Sequence, residues 1–511
     1  MSPNLSLLMI LDGVGVTKLN KGNAVALANT QTLEKLWSSF PHTYLHAAEE
    51  QVGLPKGVNG NSEVGHTNIG AGKVVYQSLL RINRSIQKNA LATNQTIIKT
   101  VKFATDNKSR IHLLCLLSDG GVHSHIDHLL EIIKTIKTIN KTVTIYIHVI
   151  TDGRDVPVDS SKKYIDQLLE FTKSYSSIFL ATLIGRYYAM DRDQRWDRTQ
   201  LAYDLMTQFK GEQTADWKNA INKSYQAGVT DEFIKPIAIN PNGIVTNNDS
   251  VIFLNFRSDR ACQLTEAFIN PNFTGFIRQK IPENLFFTTM MLFSKKLKEH
   301  SHLIFPRNTI ALPLGRVISE NGLSQLRISE SEKYPHVTYF FNGGQNLIYD
   351  LEDRIEIPSP KNIATYDQKP EMNAVQLTNK ILEKIDSQRY QFMVVNYANP
   401  DMVAHTGNLQ ASIKAMEVID RCVNKIVRKV LSVDGQLIIT SDHGNIEELI
   451  NLETDQIDTE HSTNLVPFIL VSKKYPSRFL PIGSLSDIAP TMLSLMGLSI
   501  PEDMTGNILI K

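Results

Sequence analysis

Three separated pieces of this chain carry side chains that suit one chemistry. They contain three carboxylates, three imidazoles and one hydroxyl, at Asp12, Ser62, Asp401, His405, Asp442, His443 and His461. Carboxylate oxygens and imidazole nitrogens are common ligands of divalent metals, and a metal ion makes a serine hydroxyl a better nucleophile. The set is large enough for two metal sites with a serine beside them. It therefore predicts a metal-dependent phosphoryl-transfer enzyme.

The carboxylate and imidazole pairs differ in how strongly each indicates a metal. Asp401 and His405 are four residues apart, so they share one face if the segment is helical. The adjacent pair Asp442-His443 follows an apolar run, where two ionisable residues have little packing use. His461, taken alone, is typical of a loop histidine. Because the set lacks thiolate, it suits Mn²⁺, Zn²⁺, Co²⁺ or Fe²⁺; carboxylate content favours Mn²⁺, and Mg²⁺ stays open.

Ser62 lies in a glycine-rich run, GNSEVGHTNIGAG, that begins at Gly60. Glycines on both sides allow a tight turn and a close approach of backbone N–H groups to an anion. The run is neither a P-loop nor the Gly-x-Ser-x-Gly elbow of α/β-hydrolases. Two interpretations stay open, a metal-activated nucleophile and a serine that caps a helix ahead of Glu63.

The middle of the chain carries arginines in place of metal ligands. They stand in the segments Asp119–His125, Asp152–Asp155, Gly185–Arg192 and Asn255–Arg260. Guanidinium groups bind phosphate and carboxylate in a bidentate manner, and Arg257 and Arg260 are spaced to face one anion. Lys333, in contrast, reads as an ordinary surface lysine.

Apolar runs that read as buried strands precede most of these residues. They are Leu5–Leu11, Ile111–Leu117, Thr144–Ile150, Ile178–Ile184, Val251–Phe256, Phe392–Tyr397 and Gln436–Thr440. In Asn408–Leu431 the apolar residues recur at three- and four-residue spacing, which predicts an amphipathic helix. Strands that alternate with polar loops and helices predict an α/β fold with parallel sheets, whose ligands bind at the carboxyl ends of strands.

At 511 residues the chain is long enough for two domains. Asp12 and Ser62 lie near one end, the other predicted ligands lie beyond residue 400, and the arginine segments lie between them. We therefore expect a discontinuous metal domain at 1–76 and 311–511, interrupted by an inserted domain at 77–310.

The composition excludes several other classes of protein. A net charge of +1 gives no overall field that would recruit nucleic acid or an anionic membrane. Three scattered cysteines fit a reducing compartment, and the absence of Cys-x-x-Cys argues against a structural zinc site. The apolar run Leu7–Leu11 is too short for a signal core, and no run reaches the ~18 residues of a membrane span. We expect a cytoplasmic protein without nucleic-acid or membrane partners.

Ten segments of this chain resemble one family in order and almost end to end. They are GNAVALA, GNSEVGHTNIGAG, LLSDGGVHSH, DGRDVP, GRYYAMDRDQRWDR, NFRSDRA, EKYPHVTYFFNGG, NYANPDMVAHTG, SDHGNIE and SDIAPTMLSLMG. The chain resembles the 2,3-bisphosphoglycerate-independent phosphoglycerate mutases, and GNSEVGH together with NPDMVAHTG and DHGN is highly specific. Ser441, Leu465 and Lys73 depart from the family pattern but remove no predicted ligand.

The resemblance implies an alkaline-phosphatase-like metal domain with an inserted α/β transferase domain. It implies an isomerase of glycolysis and gluconeogenesis that interconverts 3-phosphoglycerate and 2-phosphoglycerate with two Mn²⁺-type ions and without 2,3-bisphosphoglycerate. One metal would be bound by Asp401, His405 and His461, and the other by Asp12, Ser62, Asp442 and His443. Ser62 would carry the phosphoryl group, and Asp155 or a neighbour would move the proton. The implied substrate contacts are His123, Arg154, Asp155, Arg186, Arg192, Arg257, Arg260 and Lys333. The resemblance also implies that the protein is a monomer.

Other functions would require different sequence features. A related metal hydrolase or a phosphopentomutase would share Asp12 and the Asp/His set but differ in the substrate arginines. A metal-binding module without activity would leave the polar loops at the strand ends without a role. A bisphosphoglycerate-dependent mutase would need a histidine in an Arg-His-Gly context, which this chain lacks.

Overall fold

A computed structural model describes residues 5–306, 310–451 and 454–510 of the chain. Residues 1–4, part of the N-terminal stretch considered for a signal, and 307–309, next to an expected domain boundary, lie outside the described residues. Within the described ranges, no helix is both long and apolar enough to span a bilayer.

The described residues alternate between strands and helices. The strands are β1 (Ser6–Leu11), β2 (His42–His46), β3 (Ile111–Leu116), β4 (Ile145–Thr151), β5 (Ile178–Gly185), β6 (Glu212–Gln213), β7 (Ile237–Ala238), β8 (Ser250–Phe253), β9 (Phe286–Thr289), β10 (His302–Leu303), β11 (Gln325–Glu330), β12 (Glu352–Ile357), β13 (Phe392–Tyr397), β14 (Gln436–Thr440), β15 (Val466–Val471) and β16 (Gly483–Ser484). The α-helices are α1 (Ala24–Leu27), α2 (Gln31–Ser39), α3 (Ser62–Ala71), α4 (Ser78–Gln87), α5 (Gln95–Asp106), α6 (Ile126–Ile139), α7 (Ser161–Thr172), α8 (Arg186–Ala189), α9 (Trp196–Gln208), α10 (Trp217–Gln226), α11 (Cys262–Ile269), α12 (Leu314–Glu320), α13 (Ala374–Asp386), α14 (Asn399–Ala404), α15 (Leu409–Ser432) and α16 (Ile488–Leu495). Short 3₁₀ turns such as Ser331–Lys333, and a π-helical turn at His336–Phe340, join some of them.

The chain divides into two compact units, one made of Met1–Gln77 with Thr309–Lys511 and the other of Ser78–Asn308. The assignment of a metal domain and a transferase domain to such ranges stays a prediction.

The first unit is built on an eight-stranded sheet in the order β12-β11-β13-β1-β14-β15-β2-β16. The strands from β12 to β14 are parallel to one another, whereas β15 is antiparallel to both of its neighbours. Strand β1 is buried along its whole length because apolar clusters cover both faces of the sheet. This burial explains why its sequence is a continuous apolar run without alternation.

The second unit is built on another eight-stranded sheet, in the order β10-β9-β8-β3-β4-β5-β7-β6. The strands from β10 to β5 are parallel, and only the β5–β7 pairing is antiparallel. Two apolar clusters again cover the sheet, one of which contains α6 and α7 residues and the other α9 and α11 residues. Each unit is thus a sheet between helices, the architecture that the strand and helix pattern predicts.

Most of the predicted elements are confirmed, with small shifts at their ends. Phe392–Tyr397 and Gln436–Thr440 are strands at the predicted bounds, and the long amphipathic helix is α15, with Asn408 as its N-cap. The predicted strand Val251–Phe256 ends earlier, at Phe253. The three residues beyond Phe253 leave the sheet and lead into the arginine loop, although they are buried.

Candidate active site

Four neighbouring parallel strands of the first unit end at one edge of the sheet. Asp12 follows β1, Asp442-His443 follows β14, Asp401 lies in α14 after β13, and Lys333 closes the turn after β11. These strands stand side by side in the order β11-β13-β1-β14. The sheet therefore brings together side chains that are hundreds of residues apart in the chain, at the edge where α/β proteins bind ligands.

Ser62 is the first residue of α3 and points into this edge. The helix is capped by Asn61, whose side chain accepts a hydrogen bond from Val64 N at 3.0 Å, so the interpretation of Ser62 as the cap is wrong. Ser62 Oγ lies 3.3 Å from Asp12 Oδ1, 2.9 Å from His443 Nε2 and 2.8 Å from Lys333 Nζ. Freed from capping, the hydroxyl faces both acidic and basic groups.

Glycine at position 65 permits the close packing of α3 against the β14 loop. A Cβ at Gly65 would lie 2.5 Å from the backbone oxygen of Asp442, closer than any carbon can approach. The glycines of the run therefore let α3 approach the loop that carries Asp442 and His443.

Asp401, His405 and His461 form one group of predicted ligands. Asp401 Oδ1 lies 3.3 Å from His405 Nε2 and 3.4 Å from His461 Nε2, and the two Nε2 atoms are 3.1 Å apart. The helical spacing expected for Asp401 and His405 is confirmed, since α14 carries Asp401 and ends next to His405. Asp401 is buried and His405 is exposed, so this group borders solvent.

The hydrogen bonds of the imidazoles point their Nε2 atoms into the site. His405 Nδ1 lies 2.8 Å from Thr459 O, and His461 Nδ1 lies 2.8 Å from Gly60 O. Because a carbonyl oxygen only accepts, each Nδ1 carries a hydrogen, and in the neutral ring each Nε2 presents a lone pair. Two facing lone pairs at 3.1 Å need a proton or a metal ion between them. This donor set therefore fits a divalent metal.

Asp12, Asp442, His443 and Ser62 form the second group. His443 Nε2 lies 3.5 Å from Asp12 Oδ1 and 3.6 Å from Asp442 Oδ2, and all three of these residues are fully buried. His443 also lies close enough to Asp401 and His461 to share a metal with them, as its ring stacks on that of His461 at 3.9 Å. The two groups are therefore contiguous, with His443 between them.

Lys333 joins the two groups. Its Nζ lies 2.7 Å from Asp12 Oδ1 and 2.7 Å from Asp401 Oδ2, and the residue is 5% exposed. The default interpretation as a surface lysine is wrong, because the turn after β11 directs the side chain into the sheet edge. Burial alone would lower the pKa of Lys333, but the carboxylates of Asp12, Asp401 and Asp442 raise it above its usual value.

The same charges keep the carboxylates ionised despite their burial. Burial opposes ionisation of Asp401, but Lys333 and the two imidazoles hold its pKa well below the usual range. Burial would also lower the pKa of His443, and the neighbouring carboxylates, Asp442 first, raise it to about 9. The site thus concentrates negative charge that cations must balance.

Sequence reasoning missed a set of polar residues that hold the predicted ligands. Asn396 Nδ2 donates to Asp12 Oδ2 at 2.6 Å and lies 3.1 Å from His66 Nε2. His66 Nδ1 in turn lies 2.9 Å from Ser62 O, and Asn445 Nδ2 donates to Asp401 Oδ1 at 2.8 Å. A buried asparagine inside the apolar strand FMVVNY was the one signal in the sequence for Asn396.

The predicted substrate contacts, apart from Lys333, gather in the second unit. Strands β8, β3, β4 and β5 are neighbours, and the loops or helices at their carboxyl ends carry this set. Its members are His123, Arg154, Asp155, Arg186, Arg192, Arg257 and Arg260. The charges of Arg192, Arg154 and Arg186, after burial, lower the pKa of Arg260, which is the mark of cations held close together.

Three carboxylates, of which only that of Asp155 was predicted, organise this arginine cluster. Arg186 Nη1 donates to Asp152 Oδ1 and to Asp155 Oδ2, at 2.6 Å each. Asp259 accepts from Arg192 Nη1 and from Arg257 Nε, at 3.1 Å each. Both Asp152 and Asp259 stood inside the arginine motifs, but nothing in the sequence separated them from solvated loop residues.

His123 is almost fully buried beside these charges. Burial and the Arg186 guanidinium lower the pKa of His123 to about 4, so its imidazole is neutral at pH 7. A neutral imidazole among arginines is suited to a hydrogen bond with an anionic substrate.

Carboxylates, imidazoles and a serine hydroxyl that meet at the carboxyl ends of parallel strands are typical of metal-dependent phosphoryl-transfer enzymes with an α/β fold. Residues 82–295 match the family model described as BPG-independent PGAM N-terminus. The chain is 47% identical over 515 residues to the 2,3-bisphosphoglycerate-independent phosphoglycerate mutase of Clostridium botulinum (strain ATCC 19397 / Type A), covering 100% of both chains. The Clostridium tetani enzyme of the same name is 47% identical over 512 residues, covering 99% of this chain and 98% of that one. The chain therefore belongs to the 2,3-bisphosphoglycerate-independent phosphoglycerate mutase family, whose members are isomerases.

A solved structure agrees with this family. The phosphoglycerate mutase of Leishmania mexicana, crystallised at low cobalt concentration, is similar with a TM-score of 0.58 and 28% identity, covering 100% of this chain and 98% of that chain. The predicted α/β fold class is confirmed.

Proposed function

We propose that this chain interconverts 3-phosphoglycerate and 2-phosphoglycerate through a phosphoserine at Ser62. The observation that carries the proposal is the position of Ser62 Oγ, which contacts an ammonium at 2.8 Å and an imidazole at 2.9 Å. The same hydroxyl starts a ten-residue helix, whose N-terminal N–H groups favour an anion. A serine in such surroundings is stabilised both as an alkoxide and as a phosphate ester.

The two ligand groups would hold two divalent ions, with Mn²⁺ favoured by the carboxylate content. Asp401, His405 and His461 would bind one ion, and Asp12, Ser62, Asp442 and His443 the other. When bound there, such ions supply positive charge to phosphoryl oxygens and lower the pKa of the serine hydroxyl.

Side chains of the protein carry out the nucleophilic attack and the proton transfers. Ser62 enters and leaves the cycle as the alkoxide. Its Oγ attacks the phosphorus of 3-phosphoglycerate, so a serine O–P bond forms and the bond from phosphorus to the 3-oxygen breaks. Lys333 donates to Ser62 Oγ and faces the incoming charge. Asp155 returns a proton to the released 3-oxygen and takes one from the 2-hydroxyl, which then attacks the phosphoserine. The 2-oxygen–phosphorus bond forms, Ser62 is released, and no water or cofactor is consumed.

The arginine cluster would hold the substrate. Its guanidinium groups suit the carboxylate of glycerate in a bidentate manner, and His123 adds a neutral donor. On this proposal 1–76 and 311–511 form the metal domain and 77–310 the substrate-binding transferase domain. We also propose a monomer of the cytoplasm, which light scattering and cell fractionation test.

The first experiment measures conversion of 3-phosphoglycerate to 2-phosphoglycerate without added 2,3-bisphosphoglycerate. We expect activity that disappears after EDTA treatment and returns with Mn²⁺. Release of inorganic phosphate would instead indicate a metal hydrolase, and turnover of pentose phosphates would indicate a phosphopentomutase. Absence of activity with every divalent metal would refute the ligand assignment.

The second experiment tests the phosphoserine. Ser62→Ala should abolish mutase activity while Mn²⁺ binding persists through the remaining ligands. Ser250→Ala is the matched control, because Ser250 is also buried and donates to Thr100 O at 3.0 Å in the other unit. Turnover near wild type in Ser62→Ala would contradict the covalent mechanism.

A further inference from the structure

A buried glutamate with no assigned role lies close to the predicted metal ligands. Glu447 follows His443 by four residues and is 1% exposed. Its Oε2 accepts from Gly15 N at 2.9 Å and from Asn445 N at 2.8 Å. Its Oε1 accepts from Asn464 Nδ2 at 3.0 Å and from Ser462 Oγ. Each carboxylate oxygen is therefore bonded twice, which accounts for a charged group buried at this depth.

The donors come from three loops, and each of these loops carries predicted ligands. Gly15 stands three residues after Asp12, and Asn445 two residues after His443. Ser462 directly follows His461. One carboxylate thus connects the β1 loop, the β14 loop and the loop of His461. It adds to two backbone hydrogen bonds between these loops, from Ile446 N to Gly13 O and from Ser462 N to Gly444 O, at 3.0 Å each.

Two glycines leave the space that this carboxylate occupies. A Cβ placed on Gly15 or on Gly444 would collide with Oε1 of Glu447. Neither glycine has a positive φ, so the requirement at both positions is for space and not for backbone conformation. The backbone of two ligand loops is therefore shaped around Glu447.

We propose that Glu447 is a positioning residue, which fixes the three loops so that Asp12, His443 and His461 present their ligand atoms together. This inference rests on the proposed metal sites. Glutamine has the same shape but offers one acceptor oxygen, and its amide N–H₂ would face N–H or O–H donors. Glu447→Gln therefore breaks one or two of the four hydrogen bonds, because the Ser462 hydroxyl can turn and accept from the amide, and it loosens the loops without changing any ligand.

The test is the affinity of EDTA-stripped protein for Mn²⁺, measured by calorimetry and by electron paramagnetic resonance of free Mn²⁺. We expect Glu447→Gln to bind Mn²⁺ about 10- to 100-fold more weakly than wild type, the usual effect of losing a group that supports metal ligands. Raising the Mn²⁺ concentration should restore kcat, a rescue that a purely structural defect would not show. Glu448→Gln is the matched control, since Glu448 contacts only Asn464 of this group, at 2.8 Å.

Four outcomes would count against the proposal or against the metal sites on which it rests. Unchanged Mn²⁺ affinity in Glu447→Gln overturns the proposal, as does a lower melting temperature of the stripped protein with unchanged affinity. If Glu447→Gln does not fold, Ser462→Ala removes one donor, and we expect about 3- to 10-fold weaker Mn²⁺ binding; unchanged affinity there overturns the proposal too. Wild type that binds no Mn²⁺ would instead refute the proposed metal sites.

Discussion

The ammonium of Lys333 offers a direct test of how the site balances its charge. Lys333→Met keeps the length of the side chain and removes the cation that lies 2.7 Å from both Asp12 and Asp401. Removing one partner of a buried ion pair costs about 3–5 kcal/mol. Because Asn396 and Asn445 still donate to these carboxylates, we expect a loss in the free energy of unfolding at the lower end of this range, about 3 kcal/mol. For a unit of this size such a loss corresponds to roughly 6–12 °C in Tm.

Bound metal should rescue this loss of stability. Mn²⁺ bound beside the same carboxylates would replace the missing charge, so the Tm difference between wild type and Lys333→Met should fall by more than half. Differential scanning calorimetry in EDTA and in Mn²⁺ measures both differences. Lys21→Met is the control, because Lys21 pairs with Asp455 at the surface of the same unit, where ion pairs contribute about 0–1 kcal/mol. An equal loss of Tm in EDTA and in Mn²⁺, or no loss of Tm in EDTA, would show that Lys333 does not balance the charge of these carboxylates.

Two further predictions concern charges in each unit. Burial raises the pKa of Glu330 from 4.5 to about 7, so stability that is complete below pH 4.5 is lost as pH rises through 7. The free energy of unfolding of Glu330→Gln, relative to wild type, should therefore rise by about 3 kcal/mol between pH 4.5 and pH 8. Thermal melts across this range measure the difference. A difference that does not change with pH would contradict this prediction. Arg186→Lys keeps the charge but cannot contact Asp152 and Asp155 with one planar group, so kcat/KM should fall about 10- to 100-fold in steady-state assays. Unchanged kinetics would exclude Arg186 from substrate binding.

The sequence predicts the strand ends well because burial on both faces of a parallel sheet leaves an unmistakable apolar run. Such a run followed at once by a charged residue, as at Asp12 or at Asp442-His443, places that residue at the ligand-binding edge. The short strands β6, β7 and β10 carry no comparable signal. They are two residues long, and their positions depend on tertiary pairing rather than local pattern.

The residues that support the site are harder to predict for a different reason. Lys333 and Glu447 have the sequence surroundings of solvated loops, and only the approach of distant segments buries them. Ser62 shows the same limit, since the choice between cap and nucleophile depends on a shift of one residue along the chain. Charge balance in a buried site is a property of the assembled fold, so single positions do not reveal it.

The place of β1 in its sheet has a consequence for synthesis on the ribosome. Its neighbours β13 and β14 begin 381 and 425 residues after Leu11. At about 5–20 residues per second, the first strand waits on the order of 20–80 s for a partner. The second unit, which is one continuous stretch of chain, emerges completely during that time. The nascent protein thus carries an unpaired apolar strand through most of its translation. We therefore expect ribosome-associated chaperones to bind this strand while the rest of the chain is made.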